Sequence, residues 1–162
     1  MCALYRVSEN EVSGLCSLAE EINVRGVMVE IGCACGESTE IFSRYFEKVY
    51  AIDPWVRVPE LRFEAAFDAM KAKHPNVIKL KGLDTDFLDK FPVGCLDFVY
   101  IDAEHDYDSV KKQIMDWWPK LCRMGVLGGH DYTIKGVRQA VDEFFDEPDK
   151  VFEDSSWLVV LG

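Results

Sequence analysis

Apolar positions along this chain switch between two spacings. Val12, Leu15, Cys16, Ala19 and Ile22 recur three or four residues apart and predict an amphipathic helix. The next run, Val27–Ile31, is short and almost wholly apolar, which predicts a buried strand. The alternation then repeats. Ile41, Phe42, Tyr45 and Phe46 predict a helix, 49–52 a strand, Phe63, Ala66, Phe67 and Met70 a helix ending near His74-Pro75, and 77–80 a strand. A short helix over 84–90 precedes a strand over 96–101. Val110, Ile114, Trp117, Trp118 and Leu121 mark a long helix closed by Pro119. A strand over 126–129 and a helix through Val137, Ala140, Val141, Phe144 and Phe145 follow. The chain closes on an antiparallel pair, 151–152 with 157–161, turned by Asp154-Ser155-Ser156.

Continuous apolar strands separated by helices predict an α/β fold: a mostly parallel, doubly wound, Rossmann-like sheet with helices on both faces. Right-handed crossovers bring the carboxyl ends of the strands to one edge, where open α/β sheets bind ligands. The acids gather at that edge. Glu30 lies in the first strand, and Asp53, Asp84, Asp102 and Asp131 follow the second to fifth. Surface acids placed at random would scatter over both edges.

The stretch from Val27 through Gly32-Cys33-Ala34-Cys35-Gly36 to Glu37-Ser38-Thr39 is a strand, a glycine-bounded loop and a helix start. With Asp53 ending the next strand it makes a nucleoside pocket, because a carboxylate there can accept hydrogen bonds from both ribose hydroxyls. A dinucleotide fingerprint would need glycine where Ala34 and Glu37 stand. Glu37 in the first helical turn would also repel a pyrophosphate. S-adenosylmethionine carries adenosine without phosphate, and its sulfonium is a cation that suits an acidic pocket. Glu30 could bind its amino group or simply cap a neighbouring loop. Asp53 before Pro54 could simply start a turn.

The chain has 162 residues, 49% hydrophobic and 29% charged, enough for one domain over 1–162 with its own core. Its net charge of −11 argues against nucleic acid and anionic membranes as partners. No apolar stretch is long enough to span a bilayer, and the opening residues lack a signal peptide's apolar core, so a cytoplasmic protein is expected. The six cysteines then read as thiols. Cys33 and Cys35 read as small residues filling a tight loop rather than zinc ligands, since no second pair accompanies them.

Val29-Glu30-Ile31-Gly32-Cys33-Ala34-Cys35-Gly36-Glu37-Ser38-Thr39 resembles the first motif of class I S-adenosylmethionine-dependent methyltransferases. The segments 96–107, 117–121 and 128–132 resemble the small bacterial O-methyltransferase-like branch, in order and in register with the strands. The resemblance covers the chain from about Glu11. It implies seven strands with the last antiparallel, and S-adenosylmethionine as cofactor. It implies that Gly32 and Gly36 approach its methionine end and that Asp53 binds the ribose. Leu83 and Asp84 would flank or bond the adenine, and Asp102 and His105 would face the methyl-transfer centre. Glu30, Cys33, Glu37 and Ser38, together with Pro54 and Trp55, complete the candidate cofactor contacts. Trp55 is placed to cover adenine or substrate.

Two departures stand out. Ala34 replaces a frequent glycine, which is tolerable at negative φ. Arg123-Met124-Gly125-Val126 replaces a Pro-Gly-Gly turn. No inserted lid is visible, so acceptor recognition is expected to be missing or supplied by another subunit.

A hydroxyl acceptor must lose a proton as it is methylated, which calls for a base or a metal. His105 and His130, each beside an acid at a strand end, are candidate catalytic residues together with Asp102. Asp102 with Asp131 could instead hold Mg²⁺. Related sugar O-methyltransferases use magnesium near these positions, with two adjacent acids where this chain has His130-Asp131. The expected partner is a small-molecule acceptor, and the terminal hairpin or first helix could mediate a homodimer. Two alternatives compete with the enzyme: a non-catalytic S-adenosylmethionine-binding or partner protein, and an NAD(P)-dependent oxidoreductase.

Overall fold

The structure, a computed structural model, describes residues 8–56 and 60–162. The opening residues on which the signal-peptide reading rests, and Cys2, lie outside the described residues.

Helix α1 (Glu9–Glu21) starts on a capping box: Glu11 N–H donates to Ser8 Oγ at 3.2 Å, and Ser8 N–H donates to the Glu11 carboxylate. Strand β1 (Val27–Ile31) leads through the glycine loop into α2 (Glu37–Phe42). That helix stops short of the predicted Tyr45 and Phe46. Ser43 Oγ bonds back to Glu40 O at 2.7 Å, and the next amides close i−3 bonds, Arg44 to Ile41 O and Tyr45 to Phe42 O. Strand β2 (Lys48–Asp53), α3 (Glu60–Lys71), β3 (Val77–Lys81), a 3-10 helix (Asp84–Lys90) and β4 (Leu96–Ile101) follow.

Helix α4 (Tyr107–Trp117) is capped by Asp106, whose carboxylate accepts from Ser109 N–H. It ends earlier than predicted. Pro119 sits in a 3-10 turn (Trp118–Lys120), and Leu121 opens β5 (Leu121–Gly129) rather than extending the helix stripe. Helix α5 (Lys135–Phe145) and the hairpin β6 (Lys150–Val151) and β7 (Trp157–Val160) complete the chain.

The seven strands run in the order β3-β2-β1-β4-β5-β7-β6. Strands β1 to β5 pair in parallel, and β7 enters antiparallel beside β5 with Gly129 opposite Trp157. The order reverses between β1 and β4, so their carboxyl ends diverge into a crevice at that switch point. Two apolar layers cover the sheet. One joins α1, α2 and α3 residues such as Leu18, Phe42 and Phe67 to Phe98 and Tyr100. The other joins Val110, Ile114, Trp117 and Val141 to Val29, Val99 and Leu127. Trp117 is fully buried, as its helix stripe predicts. Among the described residues no helix is long and apolar enough to cross a membrane.

Candidate functional site

Two adjoining cavities occupy the carboxyl edge and meet at Gly32, Ala34 and Asp102. The first, about 310 Å³, is lined by residues that include Asp53, Pro54, Leu83, Asp84 and Gln113. The second, about 270 Å³, includes Glu37, Ser38, His105, His130 and Asp131, with Glu11 and Leu15 of α1 as a wall. Neither is lined by a lysine or arginine among the described residues. Acids from four strand ends therefore set a negative potential over both.

Asp53 anchors the first cavity. Its Oδ2 accepts from Ala34 N–H at 3.0 Å and its Oδ1 from Trp55 N–H at 2.8 Å. The carboxylate thus ties β2 to the glycine loop and starts a turn. Trp55 is not the exposed cover that its position suggests. The residue is 1% exposed, its Nε1 donates to Ala34 O at 2.7 Å, and its ring packs against Phe67 and under the Lys79 ammonium. A buried indole needs a partner for its N–H, and the loop carbonyl provides it. Lys79 is in turn held by Glu64 and Asp68 on α3. Ala34 takes φ +42, against the expected negative value, and Trp55 takes +43. Two non-glycine residues in this region cost of order 1–3 kcal/mol each. The bonds to Asp53 and between the two residues hold them there.

Gly32 is required by close packing. At φ +87, a Cβ on it would lie 2.1 Å from the Asp102 carbonyl oxygen. Its role in the fold is therefore to press the loop against the end of β4. Gly36, at φ +86, caps α2 where a Cβ would strike Met70 and Phe67. Cys33 and Cys35 are buried thiols, as small loop-filling residues should be, and Cys33 Sγ donates to Ile52 O at 3.2 Å.

In the second cavity His105 Nε2 lies 3.0 Å from Asp131 Oδ2 and 3.6 Å from Asp102 Oδ1. The Asp102 carboxylate beside it and the field of both acids push the imidazole pKa up, against partial burial. The loop carrying it is braced by α5, because Gly136 leaves room for the His105 carbonyl where a Cβ would sit 2.4 Å away. Asp131 takes φ +59, a conformation aspartate tolerates. His130 lies beside Asp131, with Nδ1 at 3.4 Å, and its Nε2 is 3.8 Å from the buried Asp154 of the terminal hairpin. Trp157 Nε1 donates to the His130 carbonyl.

A family model described as a methyltransferase domain matches residues 29–132, which hold the glycine loop, Asp53, Asp84, Asp102, His105 and Asp131. The chain belongs to the methyltransferase-domain family. No curated protein matches it at the sequence level. Solved structures share the fold. An O-methyltransferase from Bacillus cereus in complex with SAH is 16% identical, with TM-score 0.69, covering 99% of this chain and 84% of its own. The O-methyltransferase TomG from Streptomyces achromogenes, involved in tomaymycin synthesis and solved with SAM, is 16% identical with TM-score 0.69, covering 97% and 82%. A precorrin-6y C5,15-methyltransferase from Geobacter metallireducens is 15% identical with TM-score 0.68, covering 94% and 88%. Such a range of named activities on one scaffold means that the fold leaves the acceptor open.

Within this methyltransferase domain, Glu30 acts from beneath the loop. It is fully buried and accepts hydrogen bonds from the Ser38 and Thr39 hydroxyls at the start of α2. Glu30 thus pins the first turn of α2, and Ser38, not Glu30, lines the second cavity. Burial pushes the Glu30 pKa from 4.5 to about 7. The folded chain therefore holds a proton across that window that the unfolded chain has released. The stabilisation is complete below pH 4.5 and is lost as pH rises through about 7, by on the order of 3 kcal/mol. Glu30→Gln stays neutral and removes this slope. Urea midpoints at pH 5 and pH 8 should converge in the variant. Equal slopes in parent and variant would show that another group titrates.

Asp84 accepts from Trp117 Nε1 at 3.0 Å, so one of its oxygens serves the fold, while Leu83 stands 57% exposed at the rim. Among the cavity residues that sequence reasoning missed are Glu11, Leu15 and Gln113. Glu11 and Leu15 belong to a helix read only for its buried stripe. Gln113 is a polar residue beside an apolar stripe, and that mismatch was the available signal.

Proposed function

We propose that the chain transfers a methyl group from S-adenosylmethionine to the oxygen of a small-molecule acceptor. The convergence of Asp53, Asp84, Asp102 and Asp131 on two joined cavities, lined among the described residues by neither lysine nor arginine, carries the reading. A phosphate-bearing dinucleotide would meet that field unfavourably, whereas a sulfonium nucleoside meets it favourably. Bound S-adenosylmethionine supplies an electrophilic methyl group. In this reading Asp53 accepts from the ribose hydroxyls and exposed Leu83 flanks the base. Ser38 and the loop bounded by Gly32 and Gly36 face the amino-acid end. The second cavity takes that amino-acid end at Ser38 and the acceptor beside His105, with α1 as its wall in place of an inserted lid. His105 takes the acceptor's proton, and the two carboxylates beside it favour the imidazolium that results. Alignment of acceptor and methyl group is the domain's main contribution to rate.

A second reading of the same cluster has its own support. One ligand atom each from Asp102, His105 and Asp131 lies within 4.8 Å of the others, and His105 Nε2 has no well-aligned hydrogen bond despite its close carboxylates. Two hard oxygens and an imidazole suit a divalent cation, which would hold the acceptor oxygen and ease its deprotonation.

Calorimetric titration tests the function. S-adenosylhomocysteine should bind in the micromolar range and NAD should show no heat. Tight NAD binding, or none by either, overturns the reading. Dialysis against EDTA followed by Mg²⁺ separates the two accounts of the cluster. Turnover that survives the chelator supports His105 alone, and turnover that returns only with the metal supports the cation.

A further inference from the structure

The side chain of Gln113 on α4 is 8% exposed, and its Oε1 is buried with no hydrogen-bond partner. Its neighbours along the helix, Val110, Ile114 and Trp117, belong to the apolar layer. An unsatisfied buried carbonyl costs about 1–3 kcal/mol, and native structures rarely keep one. Yet Gln113 lines the first cavity, whose lining also includes Leu83, Asp84 and Glu104. Asp84, which the resemblance puts at the adenine, already spends one oxygen on Trp117.

We propose that Gln113 reads the base of the nucleoside: its amide, turned about χ3 so that the now-buried oxygen enters the cavity, accepts a hydrogen bond from the exocyclic N6 amino group of adenine. The inference rests on reading the first cavity as the S-adenosylmethionine site. A carboxamide is suited to the task. It offers an acceptor for the amino group and a donor for a neighbouring ring nitrogen, the pairing by which amide side chains recognise adenine elsewhere. Leucine at this place would satisfy the helix stripe and leave the base unread. The ligand completes the hydrogen bond that the fold leaves unmade, so occupancy of the cleft removes the cost carried by the unliganded chain.

The test is a two-by-two calorimetric comparison. Parent and Gln113→Leu are titrated with S-adenosylhomocysteine and with its analogue bearing hydrogen in place of the N6 amino group. The parent should prefer the amino compound by about tenfold, the value of one hydrogen bond to a buried neutral group. Gln113→Leu should bind both ligands alike. Gln113→Met, which keeps the length of the side chain and removes its polar atoms, repeats the measurement should the leucine variant fold poorly. A parent that binds the two ligands equally overturns the proposal. So does a variant that weakens both by the same factor, which would mark a packing role. A parent that binds the amino-free analogue but not S-adenosylhomocysteine also overturns it while sparing the nucleoside site. A parent that binds neither ligand overturns the site reading itself.

Discussion

Asp53→Ala is expected to weaken S-adenosylhomocysteine binding by at least about 100-fold. Hydrogen bonds to a charged group contribute roughly 1.5–3 kcal/mol each, and two ribose hydroxyls would share this carboxylate. The same substitution removes the acceptor for Ala34 N–H and Trp55 N–H, which hold two positive-φ residues in place. The loss therefore has two parts, a missing ligand contact and a loosened loop. Asp53→Asn distinguishes them. It keeps an acceptor oxygen for one loop amide but loses the charge and the second acceptor, so it should retain more thermal stability than alanine while still binding poorly. Calorimetry with a parallel thermal melt reads both. An alanine variant that binds as tightly as the parent would remove Asp53 from the nucleoside site.

His105→Ala should lower kcat by about 10²–10⁴, the usual range for a positioned proton acceptor. The measurement is methyl transfer from labelled S-adenosylmethionine to an acceptor found by screening a metabolite panel. Affinity for S-adenosylhomocysteine should stay within about twofold, because His105 does not line the first cavity, where the nucleoside would sit. That split between turnover and cofactor binding is the informative readout, since a general loss of structure would move both. Removing the imidazole also leaves Asp102 and Asp131 facing each other without the group between them, so carboxylate repulsion adds to the deficit. Turnover equal to the parent's would exclude His105 both as proton acceptor and as metal ligand.

The two substitutions probe different halves of a divided site, and the division follows from the sheet. Asp53 ends β2 on one side of the switch point, and Asp131 follows β5 on the other. Gly32 and Asp102 lie between them, where the loop presses on the end of β4 and the cavities join.

The strands, their order of appearance and the acids at their ends are legible in the chain because each depends on local pattern. Apolar runs bounded by glycine and acid make buried strands wherever they occur, and right-handed crossovers send their ends to one edge. Helix ends were less legible. The stripe through Leu121 continues a helical period, but Pro119 stops the helix and the residue joins β5. Ala34 shows the limit more sharply. Its φ is set by Asp53 and Trp55, nineteen and twenty-one residues away, and nothing in the loop's own sequence reports it. Trp55 reads as an aromatic at a cleft, yet packing against Phe67 and Lys79 turns its ring into the core.

The sequence by itself determined the sheet, its edge and the residue types available there, since periodicity and turn chemistry act over a few residues. Only the tertiary structure decided which carboxylates serve the fold and which line the two cavities. It set Glu30 under the α2 hydroxyls, bound Asp84 to Trp117, brought His105 between Asp102 and Asp131, and left the Gln113 oxygen unpaired beside a cleft. Those outcomes depend on which distant side chain arrives within hydrogen-bond reach, and chain-distant proximity is what folding creates.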